Sequence, residues 1–492
     1  MPEAPRFAAA DLGAESGRVV VGTLRDSRVE LHVVHRFANR PVRLPDGLHW
    51  NALGLLEGIL DGMRVAGRVD GVGVDAWGVD YGLVDGAGRL LGPPFHHRDD
   101  RTRATVARAF ERVPRAELYA ATGIQTMPIN TVFQLLADEG TPALAAAARV
   151  LLIPDLLGLW LSGVAANEVT AASTTGLLDA RTGAWALEAI ERLGLPGRLF
   201  GDLVEPGTTL GPLLPEHDIA GAPLVRAVAG HDTASAFAAA PVDGEDSAIL
   251  SSGTWSLLGL ELPEPVLGPD AAAANLTNER GVDATTRLLK NVMGLWLVQE
   301  CRRAWGTHDY DELHRLAAQA PDDVPLIDPD DEAFLAPGDM PARIAAHCER
   351  TGQRAPATAG ETVRAILLSL ACKYRVVLRS LERVTGRRVR CVHVIGGGAR
   401  NALLCQLTAD VLELPVLAGP VEATALGNVL VQARGAGLVG SLAQMREIAS
   451  ASARPETFEP RADRSGDLER FLAVTGLAEH RTIPAAVKEK IA

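Results

Sequence analysis

The sequence has 492 residues, of which 47% are hydrophobic and 22% charged, and its net charge is −13. A chain of this length is long for a single hydrophobic core and predicts two domains, and the composition is ordinary for a globular protein. The acidic balance, with no basic block anywhere, argues against binding to nucleic acid or to an anionic membrane surface. The five cysteines lack zinc-site spacing and are expected to be reduced core thiols.

The sequence predicts neither a signal peptide nor a membrane-spanning helix. The first seven residues contain two prolines and a glutamate instead of a basic segment that leads into an apolar one, so they do not predict a signal peptide. The most apolar window, residues 151–166, is interrupted by Pro154 and Asp155 and is too short to cross a bilayer. We therefore expect a cytoplasmic protein.

Two common nucleotide-binding loops are excluded by their residues. The only lysines are Lys290, Lys373, Lys488 and Lys490, and none follows a glycine as a Walker A loop requires. The one GxGxxG match, residues 435–440, follows a predicted helix instead of joining a strand to a helix. Any nucleotide site in this chain must be built in another way.

The chain opens with a predicted hairpin. Residues 7–10 and 19–24 are apolar strands, and between them lies a small-residue turn, 11–18, that begins with Asp11. We expect Asp11 to hold a divalent cation through water, because Mg²⁺ keeps most of its hydration. An ordinary β-hairpin with glycines in its turn is the alternative.

The strand 69–74 predicts a ligand-binding edge, because it delivers the sequence DAWGVDY to its C-terminal end. Gly78, between an aromatic residue and an acid, fits the close approach of a small polar ligand, whereas Trp77 is as well explained by core packing. His96 and His97 are adjacent and have no third ligand at suitable spacing, so a solvated loop or a sugar-contacting edge is favoured over a metal site.

A hydroxyl-rich loop, residues 170–175, precedes a further strand, 224–228, which leads to Asp232. Asp232 stands before a small-residue helix and could be a simple helix N-cap. A catalytic role is compatible with that position, because a helix N-terminus also favours an ionised carboxylate.

The second half of the chain repeats the hairpin pattern. Residues 248–250 and 255–260 are predicted strands around the turn Ser251–Thr254, whose hydroxyls and backbone amides can bind phosphate without a lysine. We interpret the two hairpins as a weak internal duplication, one per domain, with two unrelated hairpins as the alternative.

Three further elements follow. Apolar residues recur at helical spacing over 288–305, and a one-sided helix over 363–384 ends at Gly386. The strand 389–395, the glycine loop 396–398 and the helix 402–412 allow a phosphate or ring to approach the backbone closely, although a βα connection without a ligand is the simpler alternative.

With these pieces placed, the sequence resembles the FGGY family of carbohydrate kinases over nearly its whole length. The resemblance is carried by DLGAESGR (11–18), DAWGVDYGLVD (75–85), GHDTASAF (230–237), LSSGTWSLLG (250–259), LKNVMGLWLVQE (289–300) and IGGGARNALLCQLTAD (395–410). It implies an α/β fold with two actin-like (ribonuclease H-like) ATPase domains around a central cleft, with ATP and Mg²⁺ as cofactors and a small ketose as substrate, in a monomer or homodimer.

The resemblance also implies roles for particular residues. Asp232 would be the general base that takes the proton of the sugar hydroxyl, and the Mg²⁺ ion would lie near Asp11. The sugar pocket would be lined by Gly78, His231, Asp232, Thr233 and Asn291. The ATP contacts would be Ala14, Glu15, Ser16, Gly17, Arg18, Thr254, Gln299 and Gly397.

The chain departs from the wider family at two places. Residues 130–135 replace a common Lys-x-x-Trp pattern, and Glu15 stands where Ser or Thr is common, which is unfavourable beside phosphates unless its side chain points away. We predict a sugar-binding domain over 1–242, a nucleotide-binding domain over 243–465 and a tail over 466–492. Another ketose specificity within the family, or an actin-like ATP sensor without sugar transfer, would produce much of the same pattern.

Overall fold

The computed structural model describes residues 4–242 and 244–477. The predicted boundary residue 243 and most of the predicted tail lie outside the described residues. Among those described, no helix combines the length and apolar character needed to cross a membrane.

The chain alternates between strands and helices. The strands are β1 (Arg6–Leu12), β2 (Ser16–Arg25), β3 (Arg28–Ala38), β4 (Val42–Leu44), β5 (Gly47–His49), β6 (Gly71–Asp75), β7 (Tyr81–Val84), β8 (Arg149–Leu152), β9 (Asn167–Glu168), β10 (Leu203–Val204), β11 (Thr209–Pro212), β12 (Leu224–Arg226), β13 (Ser247–Ser252), β14 (Trp255–Leu262), β15 (Thr277–Arg280), β16 (Thr286–Met293), β17 (Cys391–Ile395), β18 (Val416–Ala418) and β19 (Glu456–Phe458).

The helices are α1 (Ala52–Ala66), α2 (Arg103–Arg112), α3 (Arg115–Thr122), α4 (Thr131–Ala137), α5 (Pro142–Ala146), α6 (Ile153–Ser162), α7 (Val169–Ser173), α8 (Leu187–Arg192), α9 (Asp232–Ala238), α10 (Pro269–Ala273), α11 (Trp296–Trp305), α12 (Tyr310–Gln319), α13 (Met340–Arg350), α14 (Ala359–Thr385), α15 (Ala402–Leu412), α16 (Ala423–Gly435), α17 (Leu442–Ser452) and α18 (Ser465–Thr475). Helix α18 therefore occupies the first part of the segment that the sequence suggested as a tail.

The chain forms two compact units. Unit 1 comprises the described residues up to Pro241 together with Glu261–Leu288 and Glu422–Arg454. Unit 2 comprises Val242–Leu260, Leu289–Val421 and the described residues from Pro455 onward. Each unit is thus assembled from several chain segments, and unit 1 includes two segments from beyond the continuous domain that the sequence suggested.

Unit 1 is built on a six-stranded sheet in the order β11-β12-β6-β1-β2-β3. Strands β1 and β2 form an antiparallel hairpin, while β6 runs parallel to both β1 and β12. The carboxyl ends of β1, β6 and β12 therefore meet at one edge of the sheet, where open α/β sheets bind ligands.

Both faces of this sheet are covered, which explains the nearly continuous apolar character of β1. On one face Ala9 and Val20 pack with α16 residues such as Val429. On the other face Ala10 and Val19 pack with α1 residues, among them Ile59. The fixed edge of this two-sided core positions the functional side chains described below.

Unit 2 is built on strands in the order β16-β14-β13-β17-β18-β19, in which β14 begins in unit 2 and β16 ends in it, whereas β15 belongs to a unit 1 segment. Strands β13 and β14 form an antiparallel hairpin, and β17 runs parallel to β13. Helix α14 ends at Gly386, whose φ of 69° is the left-handed C-cap conformation that favours glycine, so the predicted end of this helix is confirmed.

One secondary-structure prediction is wrong. The helical interpretation of 288–305 holds for α11, but residues up to Met293 form strand β16. Short apolar runs fit a buried strand as well as a helix, and sheet pairing decided in favour of the strand.

Candidate functional site

Two aspartates lie at the ends of neighbouring parallel strands in unit 1. Asp11 is the next-to-last residue of β1, Asp75 is the last residue of β6, and the two are register partners. Asp75 is fully buried, and its Oδ2 accepts a hydrogen bond of 2.6 Å from Asn428. Burial raises the pKa of Asp75 well above the usual value, and the nearby negative charges of Asp11 and Asp232 act in the same direction. These three carboxyl groups therefore share one electrostatic environment.

Asp232 lies at the start of helix α9, in a turn that we call the base turn (Gly230–Thr233). His231 is the N-cap, and Asp232 is the first helical residue, so the N-cap interpretation of Asp232 is wrong. Its Oδ1 accepts hydrogen bonds from the backbone N–H of Thr233 at 2.5 Å and from the Thr233 hydroxyl at 3.1 Å. The Asp232 side chain is 32% exposed, so a substrate hydroxyl can reach the carboxylate.

The protonation balance of Asp232 suits a base. Desolvation by burial raises the pKa of Asp232, the nearby Asp11 charge raises it further, and His231 and the Thr233 hydrogen bonds lower it. A carboxylate with a raised pKa is a stronger proton acceptor than an ordinary aspartate. The base turn thus presents an accessible carboxylate of increased basicity.

His231 connects the base turn to a buried ion pair that the sequence did not reveal. Its Nε2 lies 3.5 Å from Asp232 Oδ1, and its Nδ1 lies 3.2 Å from Glu279 Oε2. The Arg287 guanidinium lies 3.1 Å from the same Glu279 oxygen and 3.1 Å from His231 Nδ1. These contacts fix the imidazole plane, because all three side chains are at least nine-tenths buried.

The base turn is also joined to the end of β6. Ala76 donates its N–H to the Gly230 carbonyl at 2.9 Å and accepts the N–H of Asp232 at 2.8 Å. Gly78 lies two residues further along the chain and is partly exposed. The structure therefore brings the Gly78 segment and the base turn together in unit 1.

The absence of a side chain at Gly78 has a packing reason. A Cβ atom there would lie 2.8 Å from the Thr174 side chain, so the close neighbour is Thr174. The next residue, Val79, has φ 68°, which is rare for a β-branched residue, and Asp80 N–H bonds to the Gly78 carbonyl across it at 2.9 Å. Such strain persists only where the surroundings enforce it, and it is typical of ligand sites.

Asp80 is the anchor of this strained segment. Its Oδ2 accepts hydrogen bonds from the indoles of Trp50 at 2.7 Å and Trp77 at 2.9 Å, and it lies 2.7 Å from His97 Nδ1. Gln134 donates to the other oxygen at 2.9 Å. Gln134 belongs to the segment 130–135 that departs from the wider family pattern, and that segment therefore supports the Gly78 turn.

The expectation of a solvated loop at His96 and His97 is wrong. Both side chains are 6% exposed, because Asp80 pairs with His97 and the His96 ring stacks on Trp50 at 4.0 Å. Burial lowers the pKa of His96 to about 2, so this imidazole is neutral. Trp77 is 8% exposed, as core packing predicts.

The first hairpin turn is shorter than predicted, because β2 begins at Ser16. We keep the name first hairpin turn for residues 13–18, which are held by side chains. Arg18 donates from Nε and Nη2 to Asp11 Oδ2 at 2.9 and 2.6 Å, and it also pairs with Glu422. Asn39 donates its N–H to the Glu15 carbonyl at 3.0 Å and its amide to the Gly13 carbonyl at 2.9 Å. The Arg18 guanidinium is therefore committed to carboxylates, and Ser16 is the exposed residue of the turn.

The second hairpin turn, residues 251–254, lies in unit 2. The carbonyls of Gly253 and Thr254 accept N–H bonds from Leu295 at 3.0 Å and Trp296 at 3.1 Å. The Thr254 hydroxyl accepts a bond from the Gln299 amide at 3.2 Å. Two of the predicted ATP contacts, Thr254 and Gln299, are thereby brought together.

The other unit 2 residues lie on neighbouring elements. Gly397 begins a short 3₁₀ turn between β17 and α15, where Asn401 caps the helix through the Leu404 N–H. Asn291 lies on β16 and is partly buried. Met293, two residues later, donates its N–H to Asp330 at 2.8 Å, and Asp330 is paired at 2.9 Å with the buried Lys373.

Four residues of the site were not among those predicted from the sequence: Asp80, Glu168, Glu279 and Arg287. Asp80 lies inside a quoted motif, and Glu168 flanks the hydroxyl-rich loop, so both offered a local signal. Glu279 and Arg287 offered none, because their partner His231 is distant in sequence.

Comparison with known proteins decides the family. The model of the FGGY family of carbohydrate kinases, N-terminal domain, matches residues 62–238, and that of the C-terminal domain matches residues 248–436. A rhamnulokinase of Bacteroides thetaiotaomicron is 42% identical over 92% of this chain and 96% of its own, and one of Bacillus subtilis is 38% identical over 94% and 98%. The chain belongs to the FGGY family of carbohydrate kinases.

Solved structures support the fold. The gluconate kinase of Lactobacillus acidophilus superposes with a TM-score of 0.76 at 14% identity, covering 96% of this chain and 97% of its own. The Plasmodium falciparum glycerol kinase with ADP has a TM-score of 0.74 at 16% identity, covering 98% and 99%. The α/β fold with two actin-like domains, predicted from the motifs, is confirmed, as is the assignment to a family of phosphotransferases that use ATP.

Proposed function

We propose that this protein transfers the γ-phosphoryl group of ATP to the 1-hydroxyl of L-rhamnulose, in L-rhamnose breakdown, with Asp232 as the general base. The single observation that carries the mechanism is the accessible Asp232 carboxylate at the ligand-binding edge of the unit 1 sheet, where its pKa is raised. The choice of sugar rests on the nearly full-length similarity to rhamnulokinases.

Asp232 acts on the proton of the attacking hydroxyl. As the hydroxyl oxygen begins to bond to phosphorus, its proton passes to the carboxylate, and ADP leaves in line. Thr233 holds Asp232 Oδ1 through two hydrogen bonds, so we assign proton transfer to the other oxygen. Asp232 must be ionised to accept the proton, and its pKa is raised. We therefore expect kcat/KM to fall on the acid side at a higher pH than it would with an aspartate of ordinary pKa.

Sugar binding is assigned to polar groups around the base. His231 lies beside the base and is oriented by Glu279, so its ring can exchange a hydrogen bond with a sugar hydroxyl. The backbone at Gly78, Thr233 and the amide of Asn291 complete the proposed sugar contacts. Each would bind a hydroxyl in a site where an unpaired polar group costs free energy, which is the basis of ketose selection.

The nucleotide contacts are proposed on both hairpins. Residues Ala14–Arg18 and Thr254 would bind phosphates through backbone amides and hydroxyls. Gln299 would support Thr254, and Gly397 would let the nucleotide approach the backbone. Because Arg18 already pairs with Asp11 and Glu422, we assign the phosphate contact of this residue to its backbone.

The residues near Asp11 fit a magnesium ion. Asp75 Oδ1 is buried without a hydrogen-bond partner in the part of the chain that the structure describes, and its carboxyl shares the Asp11 environment. Within that part, no group of three or more histidine, cysteine or acidic side chains could hold a metal ion. Mg²⁺ commonly uses one or two carboxylates with water and substrate phosphates, so Asp11 and Asp75 would hold it, and the ion would neutralise phosphate charge.

The assignment is tested with a panel of ketoses. Purified protein with ATP and Mg²⁺ is expected to show its highest kcat/KM on L-rhamnulose and to form the 1-phosphate, identified by NMR. A preference for L-fuculose, or for the phosphorylatable signal of an autoinducer kinase, would reassign the substrate within the family. ATP binding without transfer to any sugar would indicate a sensor instead.

The base is tested with Asp232→Asn, which keeps the shape of the side chain but cannot accept the proton. We expect kcat to fall by at least ~100-fold with an unchanged melting temperature, given typical general-base contributions. Asp61→Asn, on the exposed side of α1, is the control and should leave kcat unaffected. Full activity in Asp232→Asn would remove the proposed mechanism.

A further inference from the structure

The prediction of a loop over 170–175 is wrong for most of that segment, because Val169–Ser173 form helix α7. Residues 168–175, which we call the hydroxyl loop, bond to several parts of the site. Glu168 is 2% exposed and directly precedes helix α7. The Glu168 carboxylate accepts four hydrogen bonds: from the Thr170 N–H at 2.9 Å, the Thr170 hydroxyl at 2.6 Å, the Ala171 N–H at 3.0 Å and the Gly230 N–H at 2.9 Å. Gly230 belongs to the base turn, 62 residues away in the sequence.

The loop binds two consecutive amides of the base turn. Besides the Gly230 N–H on Glu168, the His231 N–H donates to the Thr170 hydroxyl at 3.3 Å, and that hydroxyl itself donates to Glu168. The other side of the turn is held by the two backbone bonds to Ala76. The path of the chain into Asp232 is therefore fixed between β6 and the Glu168–Thr170 pair.

The same loop supports the strained segment beside Gly78. The Val79 N–H donates to the Thr174 hydroxyl at 3.0 Å, and the Val79 carbonyl accepts the Thr131 hydroxyl at 2.6 Å. Further along, the Ser173 hydroxyl accepts the N–H of Arg280, the residue after Glu279. One short segment thus contacts the base turn, the Gly78 turn and the strand that carries Glu279.

We propose that Glu168 is a positioning residue for phosphoryl transfer, which sets the orientation of Asp232 by clamping the amides of Gly230 and His231 together with Thr170. The inference rests on the proposed function of Asp232. In this role Glu168 acts through the turn and not on the reacting atoms, because its carboxylate already accepts four hydrogen bonds. Only a group that accepts from all four keeps the turn in place, because each buried N–H left without an acceptor costs free energy.

The hydrogen bonds to Glu168 also act on its pKa. Burial raises the pKa of Glu168 to about 7, while the hydrogen bonds from Thr170, Ala171 and Gly230 favour the ionised form. The neighbouring Asp155 accepts the Glu168 N–H at 3.0 Å, and its own pKa is raised well above the usual value by burial and by Glu168. A glutamine at this position would turn two donors towards groups that are themselves donors.

The test uses four variants and steady-state kinetics with saturating sugar and a varied concentration of ATP. Glu168→Gln and Thr170→Val remove the clamp, Thr170→Ser retains the hydroxyl, and Thr175→Val is the matched control. Thr175 is an equally buried threonine whose hydroxyl bonds to the Ala172 carbonyl within the loop and to the Leu177 N–H, and not to the base turn. A small displacement of a catalytic group commonly costs ~10- to 100-fold in rate.

We expect kcat to fall at least ~10-fold in Glu168→Gln and ~5-fold in Thr170→Val, with the KM for ATP within ~2-fold of wild type. Thr170→Ser should restore kcat to within ~2-fold, and Thr175→Val should retain it. If Thr175→Val loses as much activity as Thr170→Val, or if Thr170→Ser does not recover, the loop is merely structural and the inference is wrong. Should Glu168→Gln fail to fold, the threonine series decides alone.

A double variant separates this inference from the proposed function. If Glu168 acts through Asp232, then Glu168→Gln adds no further loss in an Asp232→Asn background, because residues that act as one unit are non-additive. Equal losses in both backgrounds would overturn the positioning role while leaving Asp232 as the base. An active Asp232→Asn single variant would instead overturn the proposed function itself.

Discussion

The two hairpin turns share a strand–turn–strand pattern but are held in place by different contacts. In unit 1, the turn of residues 13–18 is held by ion pairs of Arg18 with Asp11 and Glu422, in addition to the two hydrogen bonds from Asn39. In unit 2, the turn of residues 251–254 is fixed by N–H bonds from Leu295 and Trp296 to its carbonyls. The first arrangement depends on charge, and the second depends on the backbone of the chain that leads into α11.

The difference indicates what each turn can tolerate. A turn held by backbone amides resists changes of side-chain charge but not changes of backbone spacing. A turn held by a partly exposed ion pair responds to charge removal and to salt. We therefore test the turn of unit 2 with substitutions that alter backbone spacing, and the turn of unit 1 with substitutions that remove charge.

The largest effect is expected from Gly398→Ala in unit 2. A Cβ atom at Gly398 would lie 2.0 Å from Ser252 Oγ and 2.5 Å from Ser252 Cβ, so the end of β13 must shift. Such overpacking costs ~1–3 kcal/mol, and we expect a lower melting temperature and a rise of about tenfold in the KM for ATP.

Gly397→Ala is the matched control for spacing. A Cβ atom at Gly397 meets nothing within 4 Å, so the free energy of unfolding should change by less than ~0.5 kcal/mol. A rise in the KM for ATP in this variant would then report contact with the nucleotide itself. If Gly398→Ala is as stable and active as Gly397→Ala, the backbone spacing at Ser252 does not hold the second turn.

The next effect is the removal of charge in unit 1. Arg18→Gln leaves Asp11 and Glu422 without their shared cation, and we expect a loss of ~1–2 kcal/mol in the free energy of unfolding, because the pair is only partly exposed. The loss should shrink as NaCl is raised, since salt screens the pair. Urea unfolding without nucleotide at two salt concentrations measures both.

An exposed pair provides the control for this charge effect. Arg64 pairs with Asp61 on α1, with both side chains about half exposed, and Arg64→Gln should change the unfolding free energy by less than ~0.5 kcal/mol. Equal losses for Arg18→Gln and Arg64→Gln would mean that the first turn is not held by its ion pairs.

The contrast between the turns also explains what sequence could predict. Features that have local causes could be predicted from the sequence. The helix over 402–412 and the end of α14 at Gly386 follow from periodicity and capping within a few residues. The two hairpins could be predicted for the same reason, since each turn lies between its own strands.

The residues that hold the site in place could not be predicted from the sequence. Glu422 reaches Arg18 only because α16 packs on the unit 1 sheet, and Glu168 reaches Gly230 across 62 residues. The burial of His96 and His97 depends on Asp80, which no periodicity links to them. Such pairings are set by sheet topology, and a single sequence contains no signal for them.

The smallest effect concerns one side-chain bond in the second turn. Gln299 donates to the Thr254 hydroxyl at 3.2 Å, and a neutral hydrogen bond of this kind contributes ~0.5–1.5 kcal/mol. In a double-mutant cycle of Thr254→Val and Gln299→Leu, we expect a coupling free energy of about 1 kcal/mol in ATP binding, measured by calorimetry. Thr254→Ser keeps the hydroxyl, so Gln299→Leu should cost the same in that background as in the wild type. A coupling free energy of zero would mean that the amides of Leu295 and Trp296 hold the turn without the Gln299 side chain. Any effect of Gln299→Leu on ATP binding would then come from contact with the nucleotide.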